Sequence, residues 1–210
     1  MKIRPSIVFL LFLVVMGAVG GFFYYKNRPA DNTPASTEGT VPTTQESVVA
    51  PMLPKSNPNP DLHSDDKDLS KATAIINTDK GSIKFKFYTK DAPNTIKRIV
   101  ELISQGFYNG VIFHRVIPGF VVQGGDPTGT GTGGSGQKLK AEFNERRHSE
   151  GTVAMARAAD PDSADSQFYI TLAPQPHLDR SYTVFGQVVE GMDIVRKLQV
   201  GDKMNWVIIE

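Results

Sequence analysis

The chain contains no cysteine among its 210 residues. A disulfide scaffold, a cysteine-ligated zinc site, an iron–sulfur cluster, a thiol nucleophile and a lipid on an N-terminal cysteine are therefore excluded. An excess of charge of either sign is also missing. Against 22 acidic residues stand 23 basic ones, a formal net charge of +1, so nothing points to nucleic acid as the main partner. There is no G-x-S-x-G, so a hydrolase nucleophile has no local support, and no Walker lysine follows any glycine run. The four histidines, His63, His114, His148 and His177, lack metal-ligand spacing, and no metal or cofactor is expected. What the chain does have is 40% hydrophobic residues, with 12 Phe. That is enough for the core of one ordinary domain, with about fifty residues left over.

Those remaining residues divide in two. Lys2 and Arg4 precede residues 7–25, a run of 19 without a charge. As a helix it would be about 28 Å long, close to the roughly 30 Å of a bilayer's hydrocarbon core. It ends in Phe22, Phe23, Tyr24 and Tyr25, followed by Lys26 and Arg28, an aromatic interface belt with a polar flank. A retained transmembrane signal-anchor is the expectation. The alternative is a cleaved secretory signal, since Gly17-Ala18-Val19-Gly20 is small enough to be cut. Basic residues before the run favour an internal N-terminus. The rest of the chain would then be extracytoplasmic, in a periplasm or at a cell surface, or secreted if the segment is cleaved. Residues 26–70 read as a tether. Seven of the 14 prolines fall between positions 29 and 60, no aromatic occurs from Ala30 to Ser70, and seven acids against two bases give that stretch a net charge of −5. Such a segment cannot offset its ordering entropy by burial and is expected to be disordered.

From Lys71 the pattern changes. Residues 72–77 read as a strand, 78–81 as a turn and 82–88 as a second strand, in which Ile83, Phe85 and Phe87 alternate with Lys84, Lys86 and Tyr88. Asp91 is placed to cap a helix with Pro93 in its first turn. Ile96, Ile99, Val100 and Ile103 form its apolar stripe, and Gly106 ends it. Further strand-like runs lie at 111–116, 120–123, 152–157, 168–172, 184–188 and 206–209, and a second helix is predicted over 192–198. Eight strands and two helices in one domain, residues 71–210, indicate a mainly β fold: a closed barrel with helices covering its ends.

Two loops carry weak signals. Gly129-Thr-Gly-Thr-Gly-Gly134 matches G-x-G-x-x-G, but no helix pattern opens after it, and it reads as a flexible surface loop. Asp160, Asp162 and Asp165 resemble part of a calcium loop without its closing Glu, and read as a solvated turn. The informative stretch is Phe113-His-Arg-Val-Ile-Pro-Gly-Phe-Val-Val-Gln-Gly-Gly-Asp126. It puts Arg115 on an apolar strand, on the face opposite His114, with Phe120 and Gln123 following across a Pro-Gly corner. Read alone, it also fits an arginine paired with a carboxylate at a barrel rim.

The whole string resembles the signature of the cyclophilin family of peptidyl-prolyl cis–trans isomerases. The resemblance continues through Asp126-Pro-Thr-Gly-Thr-Gly, Gly151-Thr-Val-Ala-Met-Ala156, Asp165-Ser-Gln-Phe-Tyr-Ile-Thr171 and Val184-Phe-Gly-Gln-Val188, over residues 72–210. It implies a closed eight-stranded antiparallel β-barrel capped by two α-helices, acting on X–Pro bonds of polypeptides; together with the expected anchor, the expectation is a membrane-tethered, bacterial-like rotamase and folding helper. By resemblance the catalytic arginine falls on Arg115, the proline-pocket phenylalanine on Phe120 and the glutamine that holds arginine and substrate on Gln123. Ala156, Gln167 and Leu178 match further groove positions. Val121, Arg157, Tyr169, His177 and Tyr182 match groove positions where the best-known members carry methionine, asparagine, phenylalanine, tryptophan and histidine. The expected partners are proline-containing clients and the membrane, with no nucleic acid, a monomeric catalytic domain and weak cyclosporin binding because His177 replaces the tryptophan. The alternative function is a proline-segment binding module or chaperone without important turnover.

Overall fold

A computed structural model describes residues 69–210. The expected anchor at 7–25 and the tether up to residue 68 lie outside the described residues. Among the described residues no helix is long and apolar enough to cross a membrane.

Eight strands form one antiparallel sheet: β1 (Thr73–Thr78), β2 (Gly81–Phe87), β3 (Arg115–Ile117), β4 (Val121–Gly124), β5 (Thr152–Met155), β6 (Phe168–Thr171), β7 (Val184–Glu190) and β8 (Trp206–Ile209). Their order is β3-β4-β6-β5-β7-β2-β1-β8. The alternation seen in β2 is realised, with Ile83, Phe85 and Phe87 buried. Helix α1 (Pro93–Ser104) buries Ile96, Ile99, Val100 and Ile103 against the sheet's concave core, and Leu102 joins them. Phe113, Phe185, Met155, Ile170 and Met204 fill the centre of that core, each at most 1% exposed.

The barrel expected from the sequence is not closed. β3 and β8 are the two sheet edges, and no ladder joins them. β3 is only three residues long, because the predicted strand over 111–116 turns away before Arg115. What bridges the gap is irregular backbone: Phe113 N–H donates to Asp202 O (2.8 Å) and Met204 N–H to Val111 O (2.9 Å). The result is an eight-stranded half-barrel.

Two smaller expectations also change. Ala92, not Asp91, is the N-cap residue of α1 and makes no side-chain cap bond. The carboxylate of Asp91 faces Arg146 instead, at 2.9 Å. The second helix, α2, covers only Met192–Val195 rather than 192–198, since the turns that follow close through i→i+3 bonds at Lys197 and Leu198.

Candidate active site

Strand register lines up one row of side chains across five strands. Arg115 lies opposite Gln123, Gln123 opposite Tyr169, Tyr169 opposite Ala154, and Ala154 opposite Val184. Because strand side chains alternate, the neighbouring row, Val116, Val122, Ile170 and Val153, faces the other way into the main core. The Arg115 row carries a second, separate apolar cluster. Val121, Ala154, Tyr169 and Val184 form it, and Tyr88, Phe120, Ala156, Leu178 and Tyr182 pack against it.

Arg115 is partly buried and held by a relay of amides. Its Nη1 donates to Gln123 Oε1 (3.1 Å), Gln123 Nε2 to Gln167 Oε1 (2.9 Å), and Gln167 Nε2 to the carbonyls of Gly131 (3.0 Å) and Gly133 (2.8 Å). Among the described residues no carboxylate salt-bridges Arg115. The rim ion pair that the sequence also allowed is therefore absent there, and the guanidinium charge is not neutralised. Its carbon lies 5.8 Å from the Phe120 ring centroid. Burial lowers the pKa of the neighbouring His114.

The glycine loop is not the loose surface loop its composition suggested. It is wrapped around the carboxylate of Asp126, which is 0% exposed and accepts from Thr128 N (2.8 Å), Thr128 Oγ1 (2.8 Å), Gly131 N (2.6 Å) and Gly133 N (3.1 Å). Burial alone would raise the Asp126 pKa, but these hydrogen bonds to the charged form outweigh it and bring the value down to about 2. A Cβ on Gly133 would sit 2.2 Å from Asp126 Oδ1, so only glycine fits. The reading of Asp165 as part of a solvated turn is likewise corrected. Asp165 is 6% exposed and accepts from Ser135 N (2.6 Å), Ser135 Oγ (2.5 Å) and Gly136 N (3.2 Å). Glycine-rich backbone turns its N–H groups inward, and that lets two carboxylates be buried.

The opposite side of the groove is a short 3₁₀ turn, Pro176–Leu178. Its exposed His177 stacks on Phe120, centroids 5.8 Å apart and planes 19° from parallel. Gln175 Nε2 donates to Gly119 O (2.9 Å) and ties the turn to the β3–β4 hairpin. Tyr169 and Tyr182 meet edge to face at 5.8 Å. Arg157 lies over the Tyr182 ring at 4.7 Å, and its donors are committed to the carbonyls of Ser181 (2.9 Å from Nη2), Ala158 (2.9 Å) and Ala159 (3.1 Å). It is a wall of the groove rather than a free cation.

Each side chain that the sequence singled out is thus connected to the others. Arg115, Gln123 and Gln167 form the relay. Phe120, Val121, Ala156, Tyr169, Leu178 and Tyr182 form or border the second cluster, while His177 and Arg157 stack on its members. Sequence reasoning missed Asp126, Gly131 and Gly133 as the base of the relay, and His148 with Asp179 behind Tyr169. For Asp126 a signal existed: an Asp followed by alternating Thr and Gly offers a dense set of nearby N–H donors. For His148 there was none, because its partners are distant in sequence.

The family model for cyclophilin-type peptidyl-prolyl cis-trans isomerases matches residues 73–209. A peptidyl-prolyl cis-trans isomerase of Synechococcus elongatus is 50% identical over 133 residues, 62% of this chain and 91% of that protein. Peptidyl-prolyl cis-trans isomerase B of Bacillus subtilis is 46% identical over 134 residues, 63% of this chain and 93% of that protein. Among solved structures, a Cryptosporidium parvum cyclophilin-type isomerase determined in the presence of the dipeptide Ala-Pro is similar, with a TM-score of 0.61 and 30% identity. That likeness covers 66% of this chain and 98% of the parasite protein. With the match spanning nearly the whole described fold, the chain belongs to the cyclophilin-type peptidyl-prolyl cis-trans isomerases and is an enzyme of that class.

Proposed function

We propose that the groove binds proline-containing segments and that Arg115 lowers the barrier to X–Pro rotation. An X–Pro bond has only a small trans preference, yet its rotation barrier stays near that of other amides, about 18–20 kcal/mol. Twisting the bond destroys amide resonance and returns the lone pair to the proline nitrogen. A guanidinium aimed at that nitrogen binds the twisted state more strongly than the planar one, and only such a difference accelerates the reaction. Arg suits the task because it keeps its charge and offers a rigid fork of donors. Among the described residues it is held through Nη1, so the rest of the fork is available to a substrate. Phe120, Tyr169 and Leu178 supply apolar walls for the pyrrolidine ring. Rotation forms and breaks no covalent bond, so no nucleophile or proton donor has to be found.

The observation that carries this reading is an un-neutralised arginine braced by Gln123 at 3.1 Å beside an aromatic ring. The test is Arg115→Ala in a proline-peptide isomerisation assay. We expect kcat/KM to fall about 10²–10³-fold with the fold intact, the usual loss for one transition-state donor. Unchanged kcat/KM in a folded variant would refute the mechanism. We further propose that residues 7–25 anchor the enzyme in a membrane and that the tether lets it reach clients folding on the outer side. There an uncatalysed prolyl step takes tens of seconds.

A further inference from the structure

His148 belongs to neither the Arg115 row nor the main apolar core, yet it is only 2% exposed. Its Nδ1 lies 3.1 Å from Asp179 Oδ1 and its Nε2 3.0 Å from the Tyr169 hydroxyl. A carboxylate can only accept, so Nδ1 carries the proton and Nε2 accepts from the phenol. Its backbone repeats the link. His148 N–H donates to the same Asp179 oxygen (2.7 Å), and His148 O accepts from Gln175 N (2.7 Å). One residue therefore holds both ends of the turn 175–179 and, through its far ring nitrogen, the groove-facing tyrosine of β6. Ring contacts support the arrangement, since His148 stacks on Tyr169 with planes 17° apart. Burial keeps the imidazole pKa low, consistent with a neutral ring that donates on one side and accepts on the other.

Resting on the isomerase reading above, the geometry points to His148 as a positioning residue that sets the spacing between Tyr169 and the turn bearing His177 and Leu178, and so the fit of the proline ring. β6 is fixed by its two neighbouring strands. The turn is not in the sheet. Besides His148, the turn is held to the β3–β4 side of the groove by the Gln175–Gly119 bond and by the stacking of His177 on Phe120. Cutting the His148 link leaves the two walls in place but unregistered. Apolar walls grip the ring equally in the planar and twisted states, whereas Arg115 acts on the nitrogen. Loss of registration therefore weakens binding without slowing the bound reaction.

The test uses the full chain and two variants that cut the same bond from opposite ends. His148→Asn keeps an amide nitrogen near the Nδ1 position, for Asp179, and has nothing at Nε2. Tyr169→Phe keeps the ring and loses the hydroxyl. Each should raise KM about three- to tenfold with kcat within about twofold, and the double variant should be no worse than either single one. A core variant with the same loss of melting temperature, such as Ile99→Val, should leave KM unmoved, which separates positioning from general weakening. If His148→Asn does not fold, Tyr169→Phe carries the test alone. An unmoved KM in a folded variant, a loss confined to kcat, or additive effects in the double variant would overturn the assignment. The same assay reads wild-type turnover and its collapse in Arg115→Ala. Absence of turnover would refute the isomerase reading, and turnover with unmoved KM would refute only the role of His148.

Discussion

Asp126 touches no groove wall, yet it organises the loop on which Arg115's support rests. Its hydrogen bonds to Gly131 and Gly133 present those residues' carbonyls to Gln167, and so reach Gln123 and the guanidinium. The sign of its pH dependence follows from its lowered pKa. A carboxyl held at about 2 in the folded chain, against an ordinary value near 4, stabilises the fold above pH ~4. That contribution fades as the pH falls from there toward 2. Asp126→Asn cannot titrate at this position, so it should be less stable than the wild type at pH 7, and the gap should narrow below pH ~4. Melting curves of both proteins at several pH values check this, since the other carboxylates titrate in both and cancel in the difference. A gap that stays constant down to pH 2.5 would show that the Asp126 charge is not what holds the loop. At this scale the motif residues were legible because each carries distinctive chemistry on an apolar strand. Asp126 was not, because its role arises from N–H groups that only the folded glycine loop turns inward.

Helix α1 shows why elements are read more easily than their ends. Its apolar stripe and Pro93 are local properties, and both were legible. Its C-terminus was legible too. Gly106 adopts φ 68°, donates to Ile103 O at 2.9 Å, and lets Phe107 N–H reach Leu102 O at 2.9 Å, which closes the last turn. The N-terminus was misread because the cap comes from elsewhere. Glu142 accepts from the N–H groups of Asn94 (3.0 Å) and Thr95 (2.7 Å), 47 residues upstream of it in the latter case. A carboxylate at that end serves both the unsatisfied donors and the helix dipole. Glu142→Ala should therefore destabilise the protein by about 1–2 kcal/mol, measured by urea unfolding, whereas Asp91→Ala should cost less. Equal losses would restore Asp91 as the cap. The unexpected shortness of β3 and α2 has a similar origin. A run of apolar residues shows that a segment is buried, but not where its hydrogen bonds stop following a ladder.

At the scale of the whole molecule, Leu69, two residues ahead of the expected boundary at Lys71, packs against the main core. A chain starting at Leu69 should fold alone, and one starting at Lys71 should melt about 3 °C lower, matching roughly 1 kcal/mol of lost apolar burial. Identical melting temperatures would show that Leu69 contributes nothing. The proposed anchor makes a different demand. Protease added to intact cells or spheroplasts should remove the catalytic domain, because Lys2 and Arg4 precede the uncharged run. A membrane-attached domain that survives the protease would reverse the orientation. The half-barrel was legible in its strands, while its open edge was not, because closure depends on how two short edges meet. The sheet also separates two apolar populations, with the main core on one face and the groove cluster on the other. The five positions that depart from the best-known cyclophilins, Val121, Arg157, Tyr169, His177 and Tyr182, all lie on the groove side, and none belongs to the main core. Heritable change at these five positions therefore alters the face that a peptide meets while leaving the side chains of the main core as they are.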